Sequence, residues 1–190
     1  MDRYIQALGK ELEGTRAIPD GFQTVYIGGG TPTALDEAQL ERLLTLVKDV
    51  TGTNPPRECT IEANPGTLSP GKVRLMKAGG IDRVSLGVQS FSERGLELLG
   101  RIHSPEEAEE GFYMLREAGF SNINLDLIFG WPGQTLEEWG RDLQKVLRLG
   151  PEHVSAYCLT IERGTPISKD VRTGRLTGSD EDLQHKMFKK

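Results

Sequence analysis

Cysteine is scarce in this sequence: Cys59 and Cys158 are the two examples among 190 residues. They form no Cys-x-x-Cys pair, so the sequence predicts neither a disulfide framework nor a thiolate metal site. The 23 Lys and Arg residues are outnumbered by 28 Asp and Glu residues and form no long run, which argues against nucleic-acid binding.

Long apolar runs are missing, and the N-terminus lacks the pattern of a signal peptide. We therefore expect no membrane span and a cytoplasmic location.

The sequence contains instead a regular alternation of apolar segments and helix-like segments. Apolar residues at helical spacing predict a first helix over residues 1–13. Capping-box pairs then mark further helix starts, as at Ser104 with Glu107 and at Thr135 with Glu138. Five predicted strands alternate with these helices: Thr24–Gly29, Glu58–Ala63, Arg83–Ser90, Asn122–Phe129 and His153–Leu159. Five such strand–helix units indicate an α/β fold with parallel strands.

The pattern inside the strands distinguishes a doubly wound sheet from a (β/α) barrel. In the third predicted strand, Val84, Leu86 and Val88 alternate with polar or small residues, and the other strands behave alike. A parallel sheet covered on both faces would be apolar throughout. We therefore predict a partial (β/α) barrel, because a closed eight-unit barrel needs about 250 residues. The apolar positions of each strand, including Cys59 and Cys158, are expected to face the helices.

Polar or glycine residues lie at the C-terminal end of every predicted strand, where (β/α) barrels place their active sites. The stretch VYIGGGTPT at residues 25–33 fits neither a phosphate P-loop nor a dinucleotide fingerprint, because it lacks the required lysine and the third glycine. Its glycines are better explained as backbone groups offered to a small polar ligand. The five strand ends are Gly28–Thr31, Glu62 with Asn64, Gln89, Asp126, and Tyr157 to Thr160.

Each candidate also has a purely structural interpretation. The glycine run is also typical of a tight turn, and Gln89 of an amide that fixes a loop. The acids Glu62 and Asp126 are candidates for ion pairs with Arg83 or Arg101, since buried acids are usually paired. Arg101 has the right chemistry for a carboxylate ligand, although most arginines are simply exposed. His103 is expected at the surface.

Six ordered stretches resemble one family, the radical S-adenosylmethionine (SAM) proteins of the oxygen-independent coproporphyrinogen III oxidase group. The resemblance covers residues 1–168 and implies a TIM-like barrel. The sequences of TIEANPGT and AYCLTIERGTP are more similar to the heme chaperone branch of the family than to the oxidase itself. The matching stretches are YIGGGTPT, TIEANPGTL, RVSLGVQSF, LLGRIHS, NINLDLIFGWPGQT and HVSAYCLTIERGTP.

The resemblance implies a SAM-binding protein of heme or porphyrin metabolism. Heme or a porphyrin is the implied partner, and the full-length family also carries a 4Fe–4S cluster. An oxygen-independent coproporphyrinogen III oxidase is one alternative, and a cluster-free, non-catalytic SAM-binding domain is another. The residues that match the family's SAM contacts are Gly29, Gly30, Thr31, Glu62, Gln89, Arg101, Asp126 and Thr160.

One departure from the family concerns the cluster. The family binds it through a CxxxCxxC motif just after its first strand, and this sequence contains no such motif. We therefore expect residues 1–168 to form a barrel core without the first strand, and residues 169–190 to be a charged segment that begins a truncated following region. A missing first strand would leave an unpaired sheet edge, so self-association and marginal stability are expected.

Overall fold

The computed structural model describes residues 1–13, 22–52 and 55–190, in which five strands and eight α-helices are found. The strands are β1 Thr24–Ile27, β2 Glu58–Ala63, β3 Arg83–Gln89, β4 Ile123–Phe129 and β5 His153–Cys158. The helices are α1 Asp2–Glu13, α2 Glu37–Thr51, α3 Pro70–Ala78, α4 Glu93–Leu98, α5 Pro105–Glu117, α6 Leu136–Leu149, α7 Pro166–Arg172 and α8 Glu181–Phe188. The five strands predicted from the sequence are therefore confirmed.

The strands form one parallel sheet in which spatial order equals chain order, β1-β2-β3-β4-β5. A doubly wound sheet reverses its strand order at a switch point, whereas a (β/α) barrel adds each strand beside the previous one. This topology confirms the predicted partial barrel of parallel strand–helix units.

The core lies between the sheet and the helices, as the strand alternation predicts. Ile61, Leu86 and Leu125 occupy the apolar positions of the three central strands and are fully buried. The helices that cover them begin where their caps predict: Ser104 and Thr135 both form complete capping boxes. Such caps satisfy N–H groups that have no partner inside the helix.

The expectation that every strand packs its apolar face on helices is wrong for β5. Val154 is 37% exposed, and Cys158 on the same face is exposed as well. Of the helices that follow β5, α8 packs against α6, where the indole Nε1 of Trp139 donates to the carbonyl oxygen of Met187 over 2.9 Å. The boundary proposed after residue 168 falls within α7.

The longest helix described here is α2, with 15 residues. In the described part of the chain, no helix combines the length and the apolar character that crossing a bilayer would require.

We expect the chain to self-associate as its concentration rises, because β1 and β5 are the edges of the described sheet. Size-exclusion chromatography with light scattering at several concentrations measures this. A lysine on a strand edge opposes pairing, so Thr24→Lys on exposed β1 should shift the population toward monomer. Thr177→Lys adds the same charge at an exposed position away from the sheet and should have no effect. A wild-type chain that is monomeric at every concentration would contradict the prediction.

Candidate ligand-binding site

A pocket of about 250 Å³ lies at the C-terminal ends of the strands. Six of the eight predicted SAM contacts line it, although they come from five separate segments of the sequence. The concave face of the sheet therefore brings these side chains together. The pocket is lined by Tyr26, Gly30, Thr31, Glu62, Ala63, Asn64, Ser85, Gly87, Gln89, Arg101, Asp126 and Tyr157.

The backbone at Gly28 allows two side chains of the pocket to approach each other closely. The hydroxyl of Tyr26 donates to Glu62 Oε1 over 2.9 Å, across neighbouring strands. A Cβ added at Gly28 would lie 2.8 Å from both Glu62 Cδ and Tyr26 Cε1. Any larger residue at position 28 would force one of these two side chains to shift. Partial burial and the adjacent Glu62 carboxylate raise the pKa of Tyr26 to about 12, which keeps the phenol a donor.

Asp126 is held by a hydrogen-bond network across β3, β4 and β5. Ser85 Oγ donates to Asp126 Oδ2 over 2.7 Å, and Asn124 Nδ2 donates to Oδ1 over 2.8 Å. Asn124 Nδ2 also donates to Ser85 Oγ, and Asn124 Oδ1 accepts from Ser155 Oγ. An ionised carboxylate accepts about four hydrogen bonds, so two acceptor positions of Asp126 are still available to a ligand.

Gln89 and Arg101 complete the polar wall of the pocket. The Gln89 side chain lies over Gly87. A Cβ added at Gly87 would be 2.8 Å from Gln89 Nε2, so a larger residue there would displace this amide. Gln89 is also the single non-glycine residue with positive φ in the described ranges, at 68°. Arg101 is exposed, and within the described residues its guanidinium forms no ion pair with an acid. The pocket thus presents a free cation, an oriented amide and two carboxylates.

The loop after β1 is tied to the loop after β2 by buried Thr33. Its hydroxyl accepts from the backbone N–H of Asn64 over 3.2 Å and lies 2.7 Å from Thr67 Oγ1. Lys72 Nζ donates to the carbonyl oxygens of both Thr33 and Thr67. These contacts fix the position of the glycine-rich loop relative to the neighbouring strand end.

Two of the predicted ligand residues lie outside the pocket wall. Gly29 follows β1 with φ +88°, a conformation that favours glycine, and Thr160 is exposed after β5. Their assignment as SAM contacts stays a prediction. Sequence reasoning missed Tyr26 and Ser85, although both lie on the polar face of strands that had been identified correctly. The two-residue alternation that predicts Glu62 and Asp126 on the polar face of the sheet also places Tyr26 and Ser85 on that face.

The structure decides two further expectations. His103, expected at the surface, is 3% exposed, because the chain folds back and places its imidazole against the end of β3. Burial lowers the pKa of His103 and favours the neutral ring. The alternative ion pairs for Glu62 and Asp126 are not formed with Arg83, whose guanidinium lies 3.9 Å from Glu58 and 2.9 Å from His153 Nδ1.

The residues of this chain do not fit a 4Fe–4S cluster, which needs three or more thiolates. The sequence contains two cysteines, and buried Cys59 has a pKa raised by burial to about 11. Among the residues that the structure describes, no group of three or more His, Cys, Asp or Glu side chains is arranged to hold a metal ion. The pocket instead presents hydrogen-bond donors, acceptors and a cation, which are groups suited to a polar organic ligand.

A larger cavity of about 900 Å³ lies beside α7 and is lined by Arg163, Lys169 and Arg172, among other residues. Its described lining includes none of the predicted ligand residues. We assign the ligand site to the smaller pocket, because the carboxyl ends of parallel strands are where (β/α) folds place binding groups.

Comparison with curated proteins identifies close relatives of the chain. Proteins named heme chaperone HemW are 38% identical in Bacillus subtilis (strain 168) and 41% identical in Escherichia coli (strain K12). The first alignment covers 99% of this chain and 50% of the relative, and the second covers 86% and 44%. The chain therefore spans about half the length of the curated relatives it matches.

Solved structures share the same fold. Coproporphyrinogen III oxidase (HemN) from Escherichia coli, described as a radical SAM enzyme, matches with a TM-score of 0.86 at 27% identity, over 99% of this chain and 44% of that one. The archaeal Methanocaldococcus infernus Elp3 matches with a TM-score of 0.74 at 22% identity, over 97% of this chain and 47% of that one, which shows the fold alone.

A family model confirms the resemblance that the sequence motifs carry. It is described as the Radical SAM superfamily and matches residues 3–146, well over half of the chain. The strand order, the curated relatives and the match to HemN agree with it. This chain belongs to the Radical SAM superfamily.

Proposed function

We propose that this chain is the SAM-binding core of a heme chaperone of the HemW type, acting in heme or porphyrin metabolism in the cytoplasm. The curated relatives named heme chaperone HemW, at 38–41% identity, support the branch. The observation that carries the SAM assignment is the convergence of Glu62, Gln89, Arg101 and Asp126 on one strand-end pocket. Residues 1–168 would form the barrel core, and residues 169–190 would begin a following region.

The chemistry of the pocket matches the parts of SAM. The guanidinium of Arg101 would pair with the methionine carboxylate, which it can bind through two parallel hydrogen bonds. The free acceptor positions of Asp126 suit ribose hydroxyls. Glu62 would accept from the amino group or from ribose, and the loop at Gly29, Gly30 and Thr31 would offer backbone groups to the methionine part, with Thr160 beside it.

SAM supplies a reactive adenosyl group when it is bound in such a protein. The residues of this chain bind and orient it. We assign them no radical step, since two cysteines cannot provide the three thiolates of a cluster.

A second candidate function is favoured by the structural match to coproporphyrinogen III oxidase (HemN) at a TM-score of 0.86. That activity would require the cluster, which the residues present do not fit. A third candidate is a cluster-free SAM-binding domain without catalysis. Heme binding and porphyrinogen turnover distinguish these alternatives.

Calorimetric titration with SAM tests the pocket. Asp126→Ala and Arg101→Ala should each weaken binding about tenfold or more, because each removes a charged hydrogen-bonding partner of the ligand. Arg172→Ala is the matched control, since Arg172 lines the larger cavity, and it should leave the affinity unchanged. If Arg172→Ala weakened SAM binding and Arg101→Ala did not, SAM would bind in the larger cavity beside α7, and the proposal would be wrong.

Heme titration followed by the Soret band tests the chaperone assignment. We expect a saturable shift of the band on adding heme and no conversion of coproporphyrinogen under anaerobic conditions. Metal-free porphyrin, titrated in parallel, shows whether the ring alone is recognised or the iron is ligated as well. Porphyrinogen turnover by this chain would instead support the oxidase, and SAM binding without any heme or porphyrin binding would support the third candidate.

A further inference from the structure

The backbone at the end of β3 reverses in a tight turn centred on Gln89. The N–H of Ser90 donates to the carbonyl oxygen of Val88 over 2.9 Å, which closes a three-residue γ-turn. Gln89, the central residue, has φ +68°, the value of the rarer and strained γ-turn type. The pairing register of β3 with β4 also shifts between Leu86 and Gln89. A side-chain residue in this conformation persists only where the surroundings hold it.

One group that holds the turn is the imidazole of His103. Its Nε2 lies 3.0 Å from the carbonyl oxygen of Val88, the same oxygen that closes the turn. A carbonyl only accepts, so Nε2 carries the proton and donates. His103 is 3% exposed, and its Nδ1 has no partner among the described residues. A buried nitrogen left without a hydrogen-bond partner lowers the stability of the folded chain.

The second group that holds the turn is the carboxylate of Asp142 on α6. Its Oδ2 accepts from Ser90 Oγ over 2.8 Å, and its Oδ1 accepts from the N–H of Phe91 over 3.1 Å. Asp142 is 3% exposed and Ser90 is fully buried. A buried carboxylate costs free energy unless it is hydrogen-bonded, and both of its oxygens are used on the two residues that follow Gln89. The turn is therefore fixed from α6 on one side and from the loop before α5 on the other.

We propose that His103 and Asp142 are positioning residues that hold Gln89 in a strained turn so that its amide is presented to the ligand. Neither residue lines the pocket, whereas Gln89 does, with its side chain leaning over Gly87. A relaxed strand end would leave this amide free to rotate, and ordering it would reduce the net affinity. The identity of the ligand as SAM rests on the proposed function; the strain and the two restraints do not.

Thermal unfolding tests the strain without any ligand. Gln89→Gly should raise Tm by about 2–4 °C relative to Gln89→Ala, because the steric strain of alanine at positive φ outweighs the greater entropy that glycine loses on folding, and both changes remove the side-chain amide. In the Asp142→Ala background the turn can relax, so the difference between the two substitutions should shrink. Asp142→Asn is the alternative background if the alanine variant does not fold. Equal Tm values for Gln89→Gly and Gln89→Ala in the wild-type background would overturn the proposal.

SAM titration tests positioning against a merely structural role. Asp142→Ala should weaken binding about tenfold when Gln89 is present and should have no further effect in the Gln89→Ala background. His103→Leu should behave in the same way, whereas His103→Gln keeps an N–H donor and should restore part of the affinity. Equal losses in both backgrounds would refute the positioning role. A wild-type chain that binds no SAM would overturn the proposed function, and the Tm comparison would then decide the inference by itself.

Discussion

The two-residue period of the β-strand is the constraint on which both the fold and the site depend. Successive side chains point to opposite faces, so each strand supplies apolar residues to one face and polar residues to the other. Parallel pairing then aligns the polar residues across the sheet, as with Glu62 beside Ser85 and Asp126 beside Ser155. A slip of one residue in any strand would move its polar side chains into the core and out of the pocket.

The buried polar side chains on the concave face of the sheet must be hydrogen-bonded, and the bonds that they form also orient the groups that line the pocket. Asn124 is 1% exposed, and its amide donates to Ser85 and Asp126 while accepting from Ser155. These bonds stabilise the buried groups and also fix the Asp126 carboxylate before any ligand arrives. Preorganisation of this kind lowers the entropy that binding would otherwise cost. The same principle applies at Gln89, where groups outside the pocket hold a conformation that the residue would not adopt alone.

The proposed ligand contacts and the ligands of a 4Fe–4S cluster are different kinds of side chain. The proposed ligand contacts Glu62, Gln89, Arg101 and Asp126 are side chains that line the strand-end pocket. The electron that radical chemistry needs comes through a cluster, whose three thiolates exceed the cysteines of this chain. The function proposed for these 190 residues is therefore limited to ligand binding, because two cysteines do not supply the three thiolates of a cluster.

Local patterns sufficed for the five strands and for the capped helices between them, whereas α4, α7 and α8 were not predicted. The strands, the capping boxes at Ser104 and Thr135, and the polar face that carries Glu62 and Asp126 all follow from residues within a few positions of one another. The exposed apolar face of β5 did not follow, because the exposure of a strand depends on which elements of the folded chain pack against it. The alternation of apolar and polar residues in a strand does not predict which element, if any, packs on its apolar face.

What the amino-acid sequence determined by itself is the order of the five strands and of the capped helices between them, and the side of each strand that carries polar groups, since these depend on short-range patterns. Tertiary structure alone decided that His103 is buried, that Tyr26 donates to Glu62, and that Gln89 is strained. Tyr26 and Glu62 are 36 positions apart. Contacts at such separations depend on strand register and on loop paths, which no local pattern encodes.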